Sequence, residues 1–413
     1  MNDEQRPSWA VRLQVEREAH GWNKREMARR LLRATGHQYG SVDSLARQIR
    51  GWEAGEHFPR DWATAYATAF ALEEGDLFTA QGDDGDGRPH RGAADVLADF
   101  LPDGNLSARI ATITGQCTGA SIVADLSARA HALRLADDVL AGGDLLAPAF
   151  RELDAAVRLY GESVHTEDVG RGLLSVIGEF AQIAGWVASD AGQHDRAAET
   201  YQLGIEAARE AEDGTLESNL LGSLAYQATN IGDPAGGVVL ARAAVEAAGS
   251  DAPARARALA WDRLAWAHTR AQDAQATMRA LGEASAALAT LAEDGGDEPG
   301  YLYWFDAGEL QIMEARAYTE LRRPLRAVPI LIDVLSRYDA THTRELALYL
   351  SWLAVALADA NEPEEAAAAA GRMLELSTDV ASERTAERAR VVLARLEPYG
   401  DVPAVRELLL DRG

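Results

Sequence analysis

Residues 41–55, SVDSLARQIRGWEAG, decide how the rest of the chain is read. Ser41 has the short polar side chain that caps a helix start, and Gly55 is the residue type that stops a helix. Between them Leu45, Ile49 and Trp52 recur at i, i+4 and i+7, which puts them on one helix face that a core must cover. The opposite face carries Ser44, Arg47, Gln48 and Gly51, with Arg50 at its edge. Arg and Gln form paired hydrogen bonds with base edges in the major groove of DNA. These side chains equally suit a plain solvated helix face.

Outward from this segment, residues 8–79 read as five short helices. The first runs from about Ser8 to His20 and stops at Gly21. Asn23 caps the second, with Glu26 placed to complete a capping box, and Met27, Ala28, Leu31 and Leu32 follow at helical spacing. Lys24 and Arg25 stand at its start, where backbone amides and two cations suit a DNA phosphate. Thr35 to Gly40 form a polar turn. Beyond the quoted segment, Pro59 and Asp61 open a fourth helix with Trp62, Tyr66 and Phe70, and a fifth runs from about Glu73 to Phe78. Residues 80–92, rich in Gly and Asp, read as a flexible linker.

Charge separates the two ends of the chain. The net charge of −25 spread evenly would repel nucleic acid. Residues 1–79, however, hold 11 basic against 12 acidic side chains, and residues 80–413 hold 29 against 53. Within residues 22–60 the balance is 8 to 4 in favour of basic. A small basic patch beside an acidic body confines an anionic partner to that patch.

The remainder predicts an all-α chain. Residues 93–170 read as a helical lead-in, with Ile110 to Ile113 the mild candidate for a strand. From about Arg171 to the end, small residues recur at Gly185, Ala225, Ala265, Ala315, Ala354 and Ala394, in steps of 40, 40, 50, 39 and 40. The long step contains EDGGDEPG at 293–300, read as an inserted loop. Twelve residues after each small position stand Ala197, Gly237, Thr277, Ala327, Ala366 and Arg406. Small residues let paired helices approach closely, and stacked pairs bury what one pair cannot. The expectation is an α-solenoid of tetratricopeptide-like helix pairs over 171–413.

In such an array the residue after each small position lines the concave face. Here it is Trp186, Tyr226, Trp266, Arg316 and Val355. Asp262 lies four residues before Trp266 and Arg270 four after it. Aromatic area with a few polar groups suits a small-molecule or peptide effector, with Trp186, Tyr226, Asp262, Trp266, Arg270 and Arg316 as its contacts. Equally, Trp and Tyr fill gaps between neighbouring helices.

Catalysis finds no foothold. No phosphate loop, dinucleotide fingerprint, H-E-x-x-H or G-x-S-x-G motif occurs, so no catalytic residue, metal or cofactor is expected. Cys117, the one cysteine, reads as a buried thiol, and the nine histidines lack acidic or thiol partners in sequence. No apolar run reaches the roughly 18–20 residues of a membrane span, and residues 1–14 have no apolar signal core. These points lead to a cytoplasmic protein with no membrane partner.

Residues 8–79 resemble the phage-repressor-like (XRE-type) helix-turn-helix family, through GWNKREMARRL at 21–31, IRGWEAGEHFPR at 49–60 and LF at 77–78. With the repeats, the chain looks like actinobacterial regulators that join such a domain to tetratricopeptide repeats. Two departures stand out: a longer turn between helices two and three, and Lys24 where the family commonly has glutamine. The resemblance implies a transcriptional regulator of development or specialised metabolism. Its N-terminal domain would bind a double-stranded DNA operator through Lys24, Arg25, Ser44, Arg47, Gln48 and Arg50. A homodimer is expected, because one such domain reads few base pairs. The competing expectation is an interaction scaffold whose N-terminal domain does not bind DNA.

Overall fold

The computed structural model describes residues 8–34, 42–54, 59, 62–70, 72, 77, 117–137, 142–291, 298–337, 343–377 and 383–410. The chain is all-α: eighteen α-helices account for nearly all its regular structure among the described residues. It divides into two compact units. The expected linker at 80–92, the turn at 35–40 and the strand candidate at 110–113 lie outside the described residues, as does most of the fifth helix.

The N-terminal unit holds α1 (Ser8–Ala19), α2 (Lys24–Ala34), α3 (Val42–Ala54) and α4 (Ala63–Phe70). Its core joins Trp9 and Leu13 of α1, Met27 and Leu31 of α2, Leu45, Ile49 and Trp52 of α3, and Tyr66 and Phe70 of α4. Trp52 meets Tyr66 edge-on at 5.9 Å and Trp62 at 6.3 Å. The apolar face read from the quoted segment is therefore the buried face. Asn23 caps α2, its Oδ1 accepting from the Glu26 amide at 2.9 Å. The reciprocal half of the capping box differs from expectation: the Glu26 carboxylate turns to Arg29 and Arg30, at 3.0 and 3.3 Å. Two cations outcompete one backbone amide for that carboxylate.

The second unit contains α5 (Ala120–Asp137), α6 (Gly142–Glu162), α7 (Glu167–Asp190), α8 (His194–Glu210), α9 (Gly214–Asn230), α10 (Pro234–Ala248), α11 (Ala254–Arg270), α12 (Ala274–Ala289), α13 (Ala307–Glu320), α14 (Pro324–Arg337), α15 (Thr343–Asp359), α16 (Pro363–Ser377), α17 (Glu383–Leu396) and α18 (Pro403–Leu410). A two-residue parallel pairing joins Cys117–Thr118 to Val164–His165. From α6 to α12 each helix packs on the next in sequence; α7, α9, α11 and α13 also pack on one another in turn.

The repeat read from small residues reappears in the turns. Gly192, Gly232, Gln272, Arg322 and Asn361 all adopt positive φ, between 55° and 103°. They are spaced 40, 40, 50 and 39 residues apart, matching the small positions. Each turn closes with an amide returning to the carbonyl five residues back, as from Asp233 to Ala228 and from Asp273 to His268, at 2.9 and 3.0 Å. This is the hydrogen bond of a Schellman motif, which satisfies the last carbonyls of the first helix of each pair. Asp233 and Asp273 then cap the second helix.

The small positions have a steric reason. A β-carbon at Gly185 would stand 2.6 Å from the Tyr201 ring. Ala225, Ala265, Ala315 and Ala354 are fully enclosed, as are Ala197, Thr277, Ala327 and Ala366 opposite. The sixth pair departs from the reading: Ala394 and Arg406 are exposed, and Val392, Leu396 and Val405 face inward instead. Most of the inserted stretch lies outside the described residues. At its end the chain forms a 3-10 turn, Gly300–Leu302, and Leu302 and Phe305 are buried against α11 and α12 residues. By length and composition α7 is apolar enough to cross a membrane, although 67% of its apolar window is buried inside this unit.

Candidate functional site

On α3 the structure separates two faces. Arg47 and Arg50 are exposed and Gln48 is half-buried, while Leu45, Ile49 and Trp52 are enclosed. The Ser44 side chain lies outside the described residues. Arg25 is exposed at the start of α2. The expected set thus includes cations open to solvent on a helix whose other face is fixed in the core.

Lys24 has an additional task that the sequence reading missed. Its ammonium lies 3.0 Å from Glu53 of α3, a carboxylate almost fully enclosed. Arg17 of α1 grips the same carboxylate through Nε and, at 2.9 Å, through Nη2. Arg17 also donates to the Trp22 carbonyl at 2.8 Å. One buried anion therefore ties α1, α2 and the turn between them to α3, and it fixes how α3 presents its outer face. Lys24 remains about a third exposed, so its charge still reaches solvent. Hydrogen bonding to Glu53 raises the Arg17 pKa, with burial opposing. The signal for Glu53 was its place beside Trp52, next to the buried stripe.

In the second unit the row of aromatics is real, and its filling differs from expectation. Trp186 stacks on Tyr226 with centroids 6.0 Å apart, and Tyr226 lies 6.3 Å from Trp266. Trp266 then meets Trp352 edge-on at 5.9 Å. Trp352 stands one helical turn before Val355, the position expected to continue the row, so a search at i−3 would have found it. Trp266 Nε1 donates to Asn230 at 3.0 Å.

Arg316 does not stand beyond the row. Its guanidinium carbon lies 4.6 Å from the Trp266 centroid, 5.3 Å from Trp352 and 5.8 Å from Tyr226. Its Nη2 donates to the Tyr226 hydroxyl at 2.9 Å. Arg263 lies 4.5 Å from the Tyr226 centroid and Arg388 3.6 Å from Trp352. Arginine stacks on aromatic faces because its planar cation meets the negative face of the ring. The protein's own cations thus occupy ring area that the sequence reading assigned to a ligand. In the cavity among Tyr226, Asp262, Trp266 and Arg316 a water's centre has about 10 Å³ in which to move, the room that one water needs.

Asp262 lines that cavity and is buried. Burial pushes its carboxyl up to about 6, against the opposing pull of Arg263 and Arg316. Arg263 is its nearest cation, at 3.8 Å. Arg270 is exposed at the edge of the row, pairing with Glu320 at 2.9 Å. Among the described residues no group of three or more His, Cys, Asp or Glu is placed to hold a metal ion.

Compared with known proteins, the chain matches no family model and no curated protein sequence.

Proposed function

We propose that the protein is a cytoplasmic, sequence-specific DNA-binding transcriptional regulator of the XRE helix-turn-helix type. The observation that carries this reading is the two-sided α3. Arg47 and Arg50 are exposed, with Gln48 beside them, while the opposite face is locked by Leu45, Ile49 and Trp52. The Glu53 network supports it by tying the base of that helix to α1 and to Lys24. A reading helix must be held rigidly, because paired hydrogen bonds to a base edge tolerate little misplacement. Local charge favours the same surface: residues 22–60 are net basic in a strongly acidic chain. Backbone phosphates then supply affinity through Arg25 and Lys24, and Arg47, Gln48 and Arg50 supply sequence preference.

The second unit we read as a tetratricopeptide-like solenoid that holds dimer contacts and an effector. The support is the shared period of its small residues and its left-handed turn residues. Effector binding would favour one arrangement of the helix pairs and so change operator affinity. The test is selection of bound fragments from a genomic library by the purified full-length protein. A regulator enriches a few sites sharing one sequence, arranged as two half-sites. A scaffold without DNA binding enriches none.

A further inference from the structure

We propose that Arg316 and Arg388, both against Trp352, form a binding site for a compact oxyanion: a small carboxylate or a phosphate. The inference rests on the effector reading only for what binding would achieve; the site itself stands on geometry. Arg316 comes from α13, Trp352 from α15 and Arg388 from α17. The two guanidinium carbons lie 5.3 and 3.6 Å from one ring centroid, so they stand within about 9 Å of each other. A carboxylate or phosphate accepts from two guanidinium groups at once, and such charge-assisted bonds are the strong ones.

Neither arginine is held by a carboxylate of its own: Asp262 acts on Arg316 and Glu320 on Arg388 only from beyond ion-pair distance. Arg270 has Glu320 at 2.9 Å, and Arg263 has Asp262 at 3.8 Å. Among the described residues Arg316 and Arg388 have no carboxylate at ion-pair distance; their polar partners are the Tyr226 hydroxyl and the Ser351 hydroxyl. Each also keeps a buried donor without a partner, Nε of Arg316 and Nη2 of Arg388. Burying an unpaired cation and leaving its donors unmet are both costly. Burial also pulls Arg388 down to about 10, against the opposing pull of Glu320. An oxyanion between the two arginines supplies the missing acceptors and the missing negative charge together.

The site selects for size. Protein side chains already cover much of the rings of Tyr226, Trp266 and Trp352, and the one-water cavity is lined by Arg316 but not by Trp352 or Arg388, so the anion lies outside it. An extended peptide needs open groove; a compact anion needs two donors. Inorganic phosphate, succinate and a short acidic peptide therefore separate the possible sources of the charge.

The experiment titrates the full-length protein with each of these at constant ionic strength, with chloride as the background anion. Thermal unfolding and tryptophan fluorescence are the readouts, and no DNA is present, so failure of the DNA reading leaves the outcome intact. Phosphate or succinate should raise the midpoint of the second unit and change fluorescence saturably. Arg388→Gln should weaken this at least tenfold, and Arg388→Lys should restore part of it. Arg47→Ala, remote in sequence, should leave it unchanged. If Arg388→Gln unfolds the unit, Arg316→Lys, which keeps the charge but loses the planar fork, should still weaken binding. Absence of any saturable response to phosphate and succinate overturns the proposal. So does equal binding by Arg388→Gln, and so does a response to the peptide alone.

Discussion

Arg47 and Arg50 of the N-terminal unit reach into solvent, whereas Arg263 of the second unit is buried, and Arg316 and Arg388 lie against indole rings. In the first case the apolar stripe of α3, Leu45, Ile49 and Trp52, faces the core and leaves Arg47 and Arg50 outside. In the second, aromatic rows supply a surface that a planar cation can share, so arginine becomes part of the packing. The same residue type is therefore open to solvent in one unit and partly satisfied internally in the other. What separates them is the surface beside the arginine, and not the arginine. Two buried carboxylates, one from each unit, sharpen the contrast. Glu53 is gripped by two cations at hydrogen-bond distance, whereas Asp262 has its nearest cation at 3.8 Å.

The largest effect should come from breaking the better-satisfied carboxylate. Glu53→Ala leaves Arg17 buried without its partner, and such losses cost about 3–5 kcal/mol. The N-terminal unit should melt early while the second unit keeps its own transition, visible as two steps by calorimetry. A single unshifted transition would mean that the network holds little.

Asp262 should behave in the opposite sense. Its folded pKa, about 6, lies above the ordinary carboxylate value. The folded state therefore binds the proton more tightly than the unfolded chain. This contribution is fully present below the ordinary carboxylate pKa and is lost as pH rises through about 6. Two pKa units correspond to about 3 kcal/mol. Asp262→Asn, which stays neutral, should gain on the wild type by about that much between pH 4 and pH 7. Parallel stability curves for the two proteins over that range would show that Asp262 is paired or solvated as well as Glu53 is.

A smaller effect tests the close approach of paired helices. Gly185→Ala places a methyl group against the Tyr201 ring, and overpacking of this kind costs about 1–3 kcal/mol. Gly249→Ala is no control, because its positive φ adds strain. Gly282→Ala, with open space around it, should be neutral or slightly stabilising. Denaturant midpoints distinguish the two.

The α3 stripe, the caps and the helix-pair period were legible in the sequence because each rests on local spacing: i, i+4, i+7 in one case, about 40 residues in the other. The position of Trp186, Tyr226 and Trp266 in one row followed from the same period. Contacts between residues distant in sequence were not legible. Nothing local to Glu53 says that Arg17 and Lys24 converge on it, and nothing local to Arg316 says that it turns back onto Tyr226, ninety positions earlier. The last helix pair was misread because alanine is so common that a chance match at Ala394 looks like a period. Its burial pattern, with Val392, Leu396 and Val405 inward, follows the larger apolar residues.

The exposed arginines carry the central claim, and one measurement reaches it directly: fluorescence anisotropy of the full-length protein on its selected DNA site, for wild type, Arg47→Ala and Lys24→Ala, across a salt series. Arg47→Ala should lose about 1–3 kcal/mol on the selected site and discriminate less at one base pair, with little change on random DNA. Lys24→Ala should weaken both DNAs alike and reduce the salt slope by about one. If both variants bind selected and random DNA as the wild type does, the outer face of α3 is only a solvated surface and the account of this unit fails.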